Sequence, residues 1–263
     1  GPHGSDAAID LTGLQLDWFR HHLGGGSPLS TERVRAFLCG SNRWLSLSSW
    51  PPTESSHLAL AVVERADSRE LGPAPEPPRT GPVVEVPLDV RDPFPTRGGP
   101  TFLPGMEVAA NAGPRAQGSL LERADVVVAQ SAVLPQELCV MGDVILHARA
   151  IVEATAGQQS PALLCARLCD RMPDGTTLVV TEGAASVPAE SGEHHVDLCL
   201  GPVGWSFAPQ HRLVLTLSRA SVPRFRPPAH DEPERIVIDT GGATVLRLPL
   251  VASSTTSGGE GGP

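Results

Sequence analysis

The chain has 263 residues and a formal net charge of −9 at pH 7. Acidic residues outnumber the scattered arginines and lysine is absent, so there is no concentrated basic surface for nucleic acid or an anionic membrane. Apolar residues make up 40% and aromatics only 4%, with no tyrosine; this suffices for one large domain, or a domain and part of another, around an aliphatic core.

Residues 1–5, Gly-Pro-His-Gly-Ser, precede anything that reads as a folded element. The first element is IDLTGLQLDWFRHHLGG. Leu11, Leu14 and Trp18 form one apolar stripe at helical spacing, and Leu16, Phe19 and Leu23 form a second. Together they predict a helix that needs a large surface to bury against, ended by Gly24 and Gly25. VRAFLCG and LALAVV read as short buried strands, with the turn-rich NRWLSLSSWPP between them. Residues 72–82, GPAPEPPRTGP, read as a Pro/Gly-rich linker.

From about Val83 the pattern becomes strands punctuated by turns. VVEVPLDV is followed by a long irregular stretch to about residue 118, and long ordered loops tend to carry function. Then come ADVVVAQS, ELCVMG, DVILHARAIVEA, PALLCARLC, TTLVVTEG, HHVDLCLGP, HRLVLTLSR, ERIVID and TVLRLPLV. Leu213, Leu215 and Leu217 fall on one face of their strand, as do Val196, Leu198 and Leu200. MPDG and DTGG read as hairpin turns. About ten strands at regular spacing predict a mainly β fold, a jelly-roll β-sandwich. The Ser/Gly tail from Ser253 reads as disordered.

The five cysteines (39, 139, 165, 169 and 199) lie in apolar runs without regular spacing. They read as buried, reduced thiols, not as a disulfide framework or a zinc site. Together with the lack of a recognisable signal peptide or membrane span, they lead us to expect a cytoplasmic location. No Gly-x-Ser-x-Gly elbow is present, so Ser27 and Ser41 read as loop or turn residues. Adjacent histidines 21 and 22 on a helix, and 194 and 195 on a strand, diverge too far to chelate one ion. Asp143, Asp170, Asp174 and Asp197 read as turn or strand-end residues bonded to backbone amides. No cofactor and no metal is expected.

Taken in order, several segments resemble one family. They are LQLDWFRHHLGG, VRAFLCGSNRWLSLSSWPP, PLDVRDPFPTRGG, ERADVVVAQSAVL, LCVMGDVILHARAIVEA, ARLCDRMPDGTTLVVTEG and PQHRLVLTLSRASVPRFRP. The order is similar to the C-terminal part of the CocE/NonD serine hydrolases, which include cocaine esterase, α-amino-acid ester hydrolases and Xaa-Pro dipeptidyl-peptidases. The resemblance implies that residues 1–70 close an α/β-hydrolase domain and 71–82 form a linker. It further implies a galactose-binding-like jelly roll over 83–252 and a disordered tail over 253–263. It also implies hydrolysis of small esters or amides through an acyl-enzyme, with this part covering the active site and packing on a hydrolase domain of the same or a neighbouring polypeptide.

In that family the catalytic histidine lies in a Gly-Pro-Trp-x-His-Gly-like segment shortly before a Trp-Phe helix. The resemblance therefore makes His3 the candidate general base, although Gly1-Pro2-His3-Gly4 lacks the tryptophan and a vector-derived remnant is the competing reading. The nucleophilic serine and the acid, which precede the histidine in α/β hydrolases, are expected outside this chain, which is expected to be inactive alone. Phe102 and Leu103, after PTRGG, fall where family members line the acyl pocket; domain-interface packing is the alternative. The family's Asp-Thr-Asp-like run is replaced by GQQSPALL, and its DFPRF-like segment by SVPRF. The competing function is a stand-alone carbohydrate-binding or interaction module, for which Trp44, Trp50 and Trp205 are the available rings. A homo-oligomer is compatible with either reading.

Overall fold

The computed structural model describes residues 5–25, 34–53, 56–66, 68–100, 112–155, 157–158, 160–227, 233 and 235–251. After a 3₁₀ turn at Ser5–Ala7, helix α1 spans Leu11–Gly24. Asp10 caps it by accepting from the Gly13 amide at 2.9 Å, and Gly25 ends it in the left-handed conformation, which a residue without Cβ adopts freely. No residue of the helix is buried. Next, β1 (Val34–Leu38) and β2 (Arg43–Leu47) form an antiparallel hairpin. The second of these strands falls in a stretch whose composition predicts a turn. Its side chains are fixed across the ladder instead, with the Phe37 and Trp44 rings 5.3 Å apart.

The other strands are β3 (Ser56–Glu64), β4 (Arg69–Pro73), β5 (Val83–Glu85), β6 (Val127–Ser131), β7 (Leu138–Glu153), β8 (Ala162–Arg171), β9 (Thr177–Val187), β10 (Gly192–Phe207), β11 (Arg212–Ser218), β12 (Arg235–Asp239) and β13 (Gly241–Leu250). They form an eleven-stranded sheet in the order β5-β12-β7-β13-β3-β4-β6-β11-β8-β9, with β10 paired to β7. Every pairing is antiparallel except β4 to β6. The strands share one aliphatic core that takes in Leu60, Leu146, Leu168, Leu198, Leu215 and Leu248. This is a β-sandwich, and the alternating leucines of β11 and β10 face its interior as the spacing predicts.

Three readings of the sequence need correction. Residues 56–73 were expected in the hydrolase remnant and the start of the linker. They are β3 and β4, which lie within the sheet between β13 and β6. The Pro/Gly run that follows is seated on the sheet: the Gly81 amide donates to Asp239, and a Cβ on Gly241 would come within 2.3 Å of Gly81. ELCVMG and DVILHARAIVEA are one strand, β7, because Gly142 carries the chain through at φ +129. DTGG is not a hairpin: β12 and β13 both pair with β7, one beyond the other. MPDG does form the tight β8–β9 turn, where Asp174 accepts from the Thr176 amide.

Candidate functional site

His3, Phe102 and Leu103 lie outside the described residues, but the base of the segment carrying Phe102 and Leu103 is described. Gly99 and Gly113 exchange both backbone hydrogen bonds, at 2.8 and 3.0 Å, closing that segment at its neck. Gly98 has φ +72, and a Cβ there would lie 2.5 Å from the Gly113 carbonyl. The PTRGG glycines therefore allow a close approach that no other residue permits.

Beneath this neck lies a buried charge network on the outer face of β8 and β9. The Arg167 guanidinium donates to Glu182 Oε2 at 2.7 Å, Gln117 Oε1 at 2.9 Å, the Pro95 carbonyl at 2.7 Å and Ser221 Oγ at 2.8 Å. Its other face lies over the Phe94 ring, 4.5 Å from the centroid. Glu182 also receives Arg224 at 3.2 Å and the Ser221 hydroxyl at 3.0 Å. Gln117 donates back to the Arg97 and Arg115 carbonyls. Arg167 and Glu182 are 3% and 2% exposed. A buried pair of this kind holds only when its remaining donors and acceptors are satisfied, and here each is used to grip a loop. Ser221 stands where the family's DFPRF-like segment carries its acid, and Glu182, from the neighbouring strand, supplies the carboxylate. The network's one hydroxyl–carboxylate contact, Ser221 on Glu182, is buried and the carboxylate is already engaged by two arginines. Its chemistry is positional: it fixes the two ends of the segment that carries Phe102 and Leu103.

A second polar hub sits in the sandwich interior. Asp170 receives Trp205 Nε1 at 3.0 Å, and His211 Nδ1 lies 2.7 Å from its other oxygen. Burial pushes its carboxyl up, against the pull of these two partners. Asp170 is therefore not the backbone-bonded turn residue expected. No sequence spacing could announce the group, because its members come from β8, from β10 and from the turn before β11. Among the described residues no hydroxyl or thiol is bonded to the His211 ring, so the pair lacks a nucleophile to activate. Trp205 is only 5% exposed, so it cannot serve as a sugar platform. Asp197 also departs from expectation, lying 2.6 Å from His147 Nδ1 across the β7–β10 ladder. Cys165 and Cys169 are buried, with thiols pushed up to about 12 by desolvation. Cys199 is exposed, contrary to the expectation of burial, because β10 turns it to the outer face.

The third feature is the surface of α1. Leu14, Leu16, Trp18 and Phe19 are each 44–53% exposed, and Leu23 is 80% exposed. Indole and phenyl meet edge to face at 5.2 Å. Both predicted stripes thus face outward together. A continuous exposed apolar surface of this kind marks an interaction site.

These features can be set beside known proteins. Residues 29–237 match the family described as the X-Pro dipeptidyl-peptidase C-terminal non-catalytic domain. The chain belongs to this family. No curated protein sequence matches it. Among solved structures, it is similar to an aminopeptidase from a marine sediment Thaumarchaeota archaeon. The TM-score is 0.69 at 18% identity, covering 92% of this chain and 44% of that one. It is similar to an α-amino acid ester hydrolase with a TM-score of 0.68 at 16% identity, covering 89% of this chain and 44% of that one. It is also similar to a CocE/NonD family hydrolase from Staphylococcus aureus, with a TM-score of 0.62 at 12% identity, covering 94% and 47%. The chain thus corresponds to a C-terminal part of CocE/NonD-type hydrolases and spans less than half the length of these structures.

Proposed function

We propose that this domain is the structural partner of a catalytic α/β-hydrolase domain, in the same or a neighbouring polypeptide, in a serine hydrolase that cleaves small esters or amides through an acyl-enzyme. The observation that carries the proposal is the uncovered apolar surface of α1, which a hydrolase core would bury. In that assembly the jelly-roll-like sandwich covers the active site. The segment gripped by Arg167, Glu182 and Gln117 presents Phe102 and Leu103 to the acyl group, and His3 is the candidate general base. We place the protein in the cytoplasm, the compartment its cysteine usage favours. The carbohydrate-binding alternative loses its best ring, since Trp205 is buried and bonded to Asp170.

The test has two arms. Purified alone, the chain should show no saturable ester hydrolysis sensitive to serine-directed inhibitors; such activity would overturn the non-catalytic reading. Co-expressed with its hydrolase domain, it should form a stable complex that Trp18→Ser with Phe19→Ser disrupts at least tenfold. A complex indifferent to both changes would remove α1 as the docking surface.

A further inference from the structure

Arg171, the last residue of β8, and Arg212, the first of β11, are directly opposite partners in the antiparallel ladder, so their side chains leave the same face. Like charges set opposite one another are unfavourable, and proteins ordinarily relieve them with a carboxylate. This chain does so elsewhere: Arg123, Arg149, Arg167, Arg224 and Arg235 each meet an Asp or Glu. Among the described residues, neither Arg171 nor Arg212 has an acidic partner. Arg212 donates to the Ser131 carbonyl at 2.8 Å and Arg171 reaches Gln130 Oε1 at 3.5 Å, both neutral acceptors. The two acids nearest in sequence are engaged elsewhere: Asp170 holds Trp205 and His211, and Asp174 turns its carboxylate into its own turn, onto the Thr176 amide.

Both arginines line one cleft of about 450 Å³. Val133, Met172 and Pro173 supply an apolar wall to the same cleft. The volume falls within the range of small-molecule sites and far exceeds a bare inorganic ion. Two guanidinium forks with unused donors match the oxygens of a carboxylate. We infer that this cleft, at the hairpin end of β8, binds an organic carboxylate: the two arginines take the head and the Val133–Met172–Pro173 wall takes a short apolar substituent. The site is separate from the loop neck over Arg167 and stands whether or not the hydrolase reading holds.

Benzoate and inorganic phosphate, titrated into the whole chain and followed by thermal shift and calorimetry, separate head from substituent. Saturable benzoate binding is expected, at least tenfold tighter than phosphate. Arg171→Gln and Arg212→Gln should each weaken benzoate at least tenfold, without lowering the melting temperature of the ligand-free chain. Arg212→Lys, which keeps charge and loses the fork, should also weaken it. Met172→Ser should weaken benzoate while leaving phosphate unchanged. Absence of benzoate binding, equal affinity for the two anions, or binding untouched by both arginine changes would each overturn the assignment.

Discussion

Helix α1 and strand β11 are both rich in leucine, yet one is exposed and the other buried. Leu213, Leu215 and Leu217 alternate with period two and are each 1% exposed, because the opposite layer of the sandwich covers them. The apolar residues of α1 recur at helical spacing and meet no such layer. Hydrophobic burial is proportional to the area removed from water, so β11 contributes to the stability of this chain and α1 does not. The apolar surface of α1 contributes when another surface covers it. This contrast separates residues that hold the domain together from residues that attach it to something else.

The largest effect expected on the holding side is at the charge network. Arg167→Ala leaves Glu182 buried with Arg224 and the Ser221 hydroxyl as its remaining partners, and takes the guanidinium donor from Gln117 Oε1 and the Pro95 carbonyl. It should cost about 3–5 kcal/mol of stability in denaturant melts. A loss below about 1 kcal/mol would show that the network is dispensable. Leu215→Ala should cost about 2–5 kcal/mol through the cavity it opens. By contrast, Leu14→Ser or Phe19→Ser in α1 should stay within about 0.5 kcal/mol in the isolated chain. If the helix variants proved as damaging as Leu215→Ala, the contrast between the two elements would collapse.

A smaller, pH-dependent effect sharpens the interior further. Burial raises the Asp170 carboxyl above its ordinary 3.8, so the folded chain holds that proton more tightly than the unfolded one. The corresponding stability is fully present below about pH 4 and is lost as pH rises through the raised pKa. Asp170→Asn keeps an acceptor for Trp205 and should remove this slope, leaving a flatter stability profile as pH rises above about 4. A variant profile parallel to that of the parent would mean that Asp170 does not titrate there.

Particular residues show how much of this the sequence could reveal. The alternating leucines expose the sandwich, because period two on a half-buried strand is a local property. The linker-like run 72–82 misleads, because Gly81 and Gly241 are 160 positions apart and their contact is what seats that run on the sheet. The charge network and the Asp170 hub are invisible for the same reason: each joins side chains from separate strands and loops, and spacing along the chain says nothing about distance across the fold. SVPRF, residues 221–225, keeps the Pro-Arg-Phe of the family segment. The partner of Arg224, Glu182, which supplies the carboxylate where Ser221 replaces the acid, could be found only in three dimensions.

The smallest effect concerns the thiols, and it tests the outer cover of the sheet separately from its core. Cys199 is exposed, whereas Cys169 lies on the outer face of β8 beneath Val128, Val179 and Val214. With a pKa of about 12, roughly one Cys169 in ten thousand is thiolate at pH 8 even before access is considered. Iodoacetamide at pH 8, read by peptide mass spectrometry, should therefore label Cys199 within minutes and leave Cys169 intact until the chain unfolds. If Cys169 reacts with the rate of Cys199 in chain that is otherwise native, the cover over the outer face opens on its own while the leucine core stays closed. The gripped loop and the core would then be separate cooperative units, and Arg167 would stabilise only the first.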